Sequence, residues 1–170
     1  MKLLKPDAMV GHWEFTFGEA RVNEIIANLG YPFLGGNVVD NEFEEPVFES
    51  TQMYDKGGVK VAVIGQAFPY TPIANPRWMF PKWSFGIRPE RIQGHVDKAR
   101  EDGAEVVVLL SHNGFDVDQK LATIVKGIDV ILTGHTHDSI PRAIEIEKTL
   151  LLSSGSLGKY LGRLHLEVKD

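Results

Sequence analysis

Two histidine-bearing turns follow apolar runs and carry residue types that bind metal ions. The run 127–132 leads through a threonine into Gly134-His-Thr-His-Asp138, and the run 105–110 leads into Ser111-His-Asn-Gly114. Alternate residues of an extended strand point to the same face, so the two histidines of the first turn can reach one site or two adjacent ions. For either turn taken alone, solvated loop histidines are the alternative explanation.

The elements that must position these turns form an alternating pattern. Strands are predicted at 7–11, 33–39, 47–54, 59–64, 105–110, 128–133, 143–146, 149–153 and 162–168, and helices at 18–29, 90–102 and 116–126. Strand and helix alternate between 59 and 133, which predicts an α/β fold with mostly parallel strands. Ligands of such sheets bind beyond the carboxyl ends of the strands, where His12, His112, His135 and His137 fall. His95 and His165 lie inside predicted elements and are interpreted as surface or packing residues.

Composition narrows the classes of function. The chain has 170 residues, which fits one domain, and a formal net charge of −5 without a run of lysine and arginine. This pattern does not favour a nucleic-acid partner, and no run approaches the roughly 20 apolar residues of a membrane span. Cysteine is absent, so a transition-metal site must use His, Asp, Glu or Asn.

The segment 66–89 combines five prolines with six large aromatic side chains. No regular element is predicted within it, and a connection of this length is usually functional. Its aromatic content indicates that it packs against the protein. Two interpretations stay open: a loop that covers one end of the core, or a wall over a substrate cleft.

A third motif, Gly11-His-Trp-Glu-Phe15, gives the chain a family resemblance. Together with the two histidine turns it resembles the successive motifs of the calcineurin-like metallophosphoesterases, in their 5′-nucleotidase branch. That branch has Gly-Asn-His-Glu at the first motif, whereas His12 takes the Asn position here and Trp13 takes the His position. With this departure, the segments 64–78 and 83–88 resemble the thiosulfohydrolases of the bacterial sulfur-oxidising pathway.

The resemblance implies a fold, cofactors and a partner. The fold would be part of a metallophosphoesterase β-sandwich flanked by helices. In the longer protein that the resemblance implies, this sandwich has four layers (α/β/β/α). A periplasmic enzyme with two Mn²⁺ ions is implied, releasing sulfate from a cysteine S-thiosulfonate on the carrier protein SoxYZ. By motif, His12, His112 and His135 would bind one metal ion, and His137 would bind the other.

Further roles follow from the same resemblance. Trp13 and Asn113 are the catalytic candidates, although an indole N–H donates without titrating usefully and a buried core tryptophan is an equal alternative for Trp13. Glu14 is expected to orient neighbouring groups, and Asn113 and Asp138 are expected to accept the second ring N–H of metal-bound histidines.

The positive charges near the aromatic segment provide candidate substrate contacts. Arg77 and Arg88, together with Lys82, can meet an anionic substrate. For any one of these side chains, solvated surface charge is the alternative.

The family's two earlier metal motifs, Asp-x-His and Gly-Asp, and its second domain do not occur in residues 1–170. The sequence is therefore expected to be a single domain, the C-terminal part of a metallophosphoesterase catalytic domain. On that expectation it binds at most one metal ion weakly and hydrolyses little alone.

Two other functions stay open. One is a 5′-nucleotidase-like phosphomonoesterase, and the other is a non-enzymatic domain with a closed structural metal site.

Overall fold

Short strands dominate the structure, a computed structural model that describes residues 3–169. They are β1 (Met9–Val10), β2 (Phe33–Leu34), β3 (Val39–Asp40), β4 (Thr51–Lys56), β5 (Val59–Gln66), β6 (Trp83–Ser84), β7 (Val106–Ser111), β8 (Val130–Thr133), β9 (Ile144–Ile146) and β10 (Thr149–Leu152). The strands at the centre are rich in valine, isoleucine and leucine, which suit a pleated and buried surface.

The main sheet has six strands in the order β4-β5-β7-β8-β10-β9. Its four central strands, β5, β7, β8 and β10, are parallel, and β4 and β9 run antiparallel at the two edges. Two smaller ladders, β1-β2 and β3-β6, accompany it. The mixed α/β class predicted from the sequence is confirmed.

Within residues 3–169, four α-helices and two 3₁₀ helices connect the strands. The α-helices are α1 (Glu19–Ala27), α2 (Thr71–Ala74), α3 (Pro89–Glu101) and α4 (Phe115–Ile124), and the 3₁₀ helices are Glu14–Phe17 and Arg77–Met79. Proline begins α3, where its missing N–H costs no hydrogen bond. Within residues 3–169 no helix combines the length and apolarity needed to cross a bilayer.

The core consists of two clusters of buried side chains. The first lies between α3, α4 and one face of the main sheet and contains Ile64, Leu109 and Ile131, all fully buried. The second is largely aromatic and joins Phe15 to Phe80 and Trp83 of the segment 66–89. That segment therefore covers part of the core, which is one of its two predicted roles.

Two predictions of local structure are wrong. The segment 66–89 contains regular elements, namely α2, a 3₁₀ helix and β6. Residues 162–168 do not form the predicted closing strand. Their alternation specifies two faces, but a strand also needs a neighbour to pair with, and no ladder partner for them lies among residues 3–169.

Candidate metal centre

The histidines are held by backbone hydrogen bonds at the carboxyl edge of the main sheet. His112 follows β7 directly, and its N–H donates to the carbonyl of Gln66 at the end of β5 (2.9 Å). Gly134 follows β8, and its N–H donates to the carbonyl of Ser111 (2.9 Å). The N–H of His12 donates to Glu14 Oε2 (2.6 Å). Each turn is therefore fixed where its strand or ladder ends.

Three of the four predicted metal ligands come together. His12, His112 and His135 each offer a ring nitrogen, and these nitrogens all lie within 4.8 Å of one another. The imidazole of His12 stacks on that of His112, with ring centres 4.4 Å apart, and meets His135 edge-on at 4.9 Å. This spacing suits three donors converging on one small cation.

Burial and hydrogen bonding agree with that interpretation. His12 Nε2, His112 Nε2 and His135 Nδ1 are buried and have no hydrogen-bond partner among residues 3–169. A buried polar atom without a partner is costly, and native proteins contain few. A bound metal ion would satisfy all three nitrogens, so the residues present fit one ion.

The electrostatics favour neutral imidazoles, the form that binds metal ions. Burial, followed by the neighbouring His12, His135 and His137, lowers the pKa of His112 to about 4. Burial is also the main cause that lowers the pKa of His12 and of His135. At neutral pH the ring nitrogens therefore need not lose a proton before they bind.

The 134–138 turn has an unusual backbone. His135 and His137 have φ angles of 81° and 61°, which few residues other than glycine adopt. Space at Gly134 is tight, because a Cβ there would lie 3.2 Å from His112 Nδ1 and would press on the imidazole. His137 is exposed and lies outside the three-histidine group, although its charge lowers the pKa of each member. Its predicted role at a second ion stays a prediction.

Aromatic side chains surround the three histidines. Phe68 is buried and stacks on His135 with ring centres 4.1 Å apart, and its edge meets His12 at 4.9 Å. The ring centre of Trp13 lies 4.9 Å from that of His12, and Trp13 is 55% exposed. Trp13 is therefore not the core tryptophan of the alternative interpretation, and its catalytic role stays a prediction. Phe68 was not singled out by the sequence, since an aromatic residue after a strand carries no specific signal.

A buried polar network lies beside the histidines. Asp118 is fully buried, and its Oδ1 accepts hydrogen bonds from Ser111 Oγ (2.9 Å) and Asn113 Nδ2 (3.1 Å). Burial raises the pKa of Asp118 to about 6, although Thr133, Ser111 and Asn113 counteract it. The side-chain amide of Asn113 therefore donates to Asp118, while Asn113 Oδ1 is buried without a partner among residues 3–169. Asp118 lies in the first turn of the predicted helix 116–126, where nothing in the sequence indicates that its side chain is buried.

The other predicted site residues have partners away from the ring nitrogens. Glu14 binds the backbone of His12, a contact that suits an orienting role. The Asp138 carboxylate accepts a hydrogen bond from Thr136, and its carbonyl accepts one from Ser153 (2.6 Å). No hydrogen bond between the Asp138 carboxylate and a histidine occurs within residues 3–169. Its predicted contact with a metal-bound histidine stays a prediction.

The two arginines proposed for substrate differ in environment. Arg77 is exposed, whereas Arg88 is partly buried and donates through Nη2 to Ser84 Oγ (2.8 Å). Arg88 Nη1 is buried without a partner, and burial lowers its pKa. Their contact with substrate stays a prediction.

The two remaining histidines lie away from the site. His95 packs from α3 against Gly36, and His165 is exposed. Both agree with the packing and surface roles predicted for them.

Comparison with known proteins shows which proteins this chain resembles in sequence and fold. A venom 5′-nucleotidase of Naja atra is 28% identical over 198 residues, and the match covers all of this chain and 36% of that protein. The solved 5′-nucleotidase precursor of Thermus thermophilus is 26% identical with a TM-score of 0.79, covering 94% of this chain and 35% of that one. No protein-family model matches the chain. The similarities support a relationship with the 5′-nucleotidase family of calcineurin-like hydrolases.

One solved structure resembles the chain more strongly than the two 5′-nucleotidases above. The sulfate thiohydrolase SoxB of Thermus thermophilus is 41% identical to this chain, with a TM-score of 0.90. The match covers 93% of this chain and 29% of SoxB. The chain thus spans about a third of the length of the proteins it matches.

Proposed function

We propose that His12, His112 and His135 bind a catalytic metal ion in a hydrolase of the 5′-nucleotidase-like metallophosphoesterase type. The convergence of three buried, unpartnered ring nitrogens within 4.8 Å is the observation that carries this proposal. Three protein donors also suit a catalytic site, which keeps a position open, better than a closed structural site with four donors.

The side chains around the ion have separable tasks. A bound metal ion supplies positive charge that polarises an oxyanion and acidifies water. Phe68 excludes water from one side of His135 and fixes the plane of its ring. Trp13, exposed beside His12, offers an indole N–H that can donate a hydrogen bond but does not ionise at neutral pH.

For the substrate, we favour a sulfur compound over a nucleotide. The whole protein would release sulfate from a cysteine S-thiosulfonate carried by SoxYZ, in the periplasm. The 41% identity with SoxB over 93% of the chain supports this substrate, as does tryptophan where the nucleotidase motif has histidine.

A two-manganese centre belongs to the same proposal for the whole protein, with His137 at the second ion. The chain would then be the C-terminal part of the catalytic domain. The donors that group together within residues 3–169 suffice for one ion.

A phosphomonoesterase is the second candidate function. The match with the 5′-nucleotidase of Naja atra covers all of this chain, so a nucleotide substrate stays open.

A paired assay distinguishes the two candidates. The native protein that contains this sequence is loaded with Mn²⁺ and given either S-thiosulfonated SoxYZ or AMP, with sulfate and phosphate release measured. Sulfate release that is lost in His112→Ala is the expected result. AMP turnover without sulfate release would contradict the thiosulfohydrolase function and support the phosphomonoesterase function. Equal activity of wild type and His112→Ala on both substrates would overturn the metal centre.

A further inference from the structure

The carboxylate of Asp118 lies between the two strand ends that carry His112 and His135. It comes from α4, the helix that connects β7 to β8, and is fully buried. Oδ1 accepts from the hydroxyl of Ser111 and from the amide of Asn113, the residues on either side of His112. Ser111 Oγ in turn accepts the backbone N–H of Asn113 (3.1 Å). The side chains on both sides of His112 are thus bonded to one carboxylate oxygen, and the backbone N–H of Asn113 is bonded to the hydroxyl of Ser111.

The same carboxylate also faces the second strand. Thr133, the last residue of β8, lies close enough to Asp118 to lower the pKa of its carboxyl. Thr133 Oγ1 and Asp118 Oδ2 are both buried and have no hydrogen bond of normal geometry among residues 3–169. Thr133 pairs with Ser111 in the sheet and stands two residues before His135. One side chain therefore reaches both strand ends.

We propose that Asp118 is a positioning residue that sets the separation of the His112 and His135 ring nitrogens. The inference rests on the proposed metal centre. Outer groups that hold metal ligands typically change metal affinity 10- to 100-fold when they are removed. A buried carboxylate is also costly unless it is well bonded, so pure packing at this position favours an apolar side chain.

The geometry at Oδ1 specifies the test variants. Asp118→Asn keeps an oxygen that accepts from Ser111 and Asn113 and turns an N–H₂ toward Thr133. Asp118→Leu keeps the branch at Cγ and removes every hydrogen bond of the carboxylate. Thr149→Val is the matched control: Thr149 is buried and donates to the carbonyl of Ile128 (2.8 Å) at the opposite end of the sheet.

The experiment is a Co²⁺ titration of the 170-residue chain at pH 7.5, followed by the visible absorption of the ion. Asp118→Leu is expected to bind Co²⁺ at least tenfold more weakly than wild type and with an altered spectrum. Asp118→Asn is expected to bind within threefold of wild type. Thr149→Val is expected to lose thermal stability and to keep the wild-type affinity and spectrum.

The outcomes separate the inference from its basis. A folded Asp118→Leu protein with wild-type affinity and spectrum would overturn the positioning role and leave the metal centre intact. Wild-type protein that binds no Co²⁺ would overturn the metal centre and the positioning role with it. Ser111→Ala, which removes one hydroxyl, provides the same comparison if Asp118→Leu does not fold. We expect it to weaken Co²⁺ binding at least threefold, and an unchanged affinity would count against the inference.

Discussion

The two ends of β7 and β8 differ in how their polar groups are satisfied. At the amino ends, Arg100 Nη1 donates to the carbonyls of Ala104 and Glu105, and Nη2 donates to the carbonyl of Gly127 and to Asp129. Asp129 also accepts the N–H of Val107 (2.6 Å). At the carboxyl ends, the buried nitrogens of the histidines and the Oδ1 of Asn113 have no partner within residues 3–169.

This contrast separates stability from chemistry along the same strands. Of the buried side-chain polar atoms without hydrogen bonds in residues 3–169, none lies at the amino ends. Unsatisfied groups destabilise a protein, and their concentration at one edge is typical of a functional site. Substitutions at the carboxyl ends should therefore change binding, and substitutions at the amino ends should change stability.

Replacing His112 tests the carboxyl end and has the largest expected effect. His112→Ala removes one of three donors and should weaken Co²⁺ binding at least 100-fold, about 3 kcal/mol. The metal-free variant should unfold within a few degrees of wild type, because the lost imidazole had no hydrogen bond at Nε2. Calorimetric titration and thermal unfolding measure the two quantities. A large loss of stability with unchanged Co²⁺ affinity would show that the carboxyl ends contribute to stability and not to binding.

Arg100 tests the amino end. Arg100→Met removes hydrogen bonds from four carbonyl or carboxylate partners and should lower the free energy of unfolding by about 2 kcal/mol. Lys98→Met is the control on the same helix, because its pair with Asp102 is exposed and contributes little. Urea unfolding gives both values. Co²⁺ affinity that falls with Arg100→Met would contradict the separation of the two ends.

The raised pKa of Asp118 predicts an effect that depends on pH. Burial raises the pKa of Asp118 to about 6 from 3.8, so between these values the folded state holds a proton that the unfolded state releases. Wild type should therefore lose stability relative to Asp118→Asn as pH rises from 4 to 6, by up to about 1.4 kcal/mol per pH unit. Above pH 6 the difference should stay constant. Urea unfolding from pH 4.5 to 7.5 measures it, and a difference independent of pH would contradict the prediction.

The smallest effect is expected for His137, which is compared with His135 in the same 134–138 turn. His137 lies outside the three-histidine group, so His137→Ala should change Co²⁺ affinity by less than about threefold, and binding should stay at one ion or fewer per chain. His135→Ala, the matched variant in the same turn, should weaken binding at least 100-fold. Elemental analysis and titration give both numbers. Two bound ions per wild-type chain would show that His137 joins a complete second site.

The sequence predicted the ligand-bearing turns because the rule behind them is general. Parallel strands with short crossovers bring their carboxyl ends to one edge, and runs of valine and leucine mark such strands. His112 and His135 could therefore be placed together before any contact was known. His12 follows the short strand predicted at 7–11, of which β1 forms only two residues, and its assignment to the same ion as His112 and His135 depended on the resemblance.

The missed features depend on contacts between elements. Asp118 lies on a helix whose first turn suits acidic residues at the surface, and only Ser111 and Asn113 of the preceding strand end explain its burial. Phe68 belongs to a segment with many aromatic side chains, and no local pattern distinguishes the one that stacks on His135. The predicted strand at 162–168 failed for the same reason, because alternation does not specify a neighbour.

The wide separation of His12, His112 and His135 along the chain also constrains the order of folding. Their nitrogens meet only after β5, β7 and β8 have paired, and such non-local pairing forms slowly because loop closure precedes any gain from contact. A metal ion that needs the three-histidine group has no complete site in the unfolded chain. It therefore cannot act as a nucleus for folding, and its binding energy would slow unfolding while leaving the rate of folding nearly unchanged.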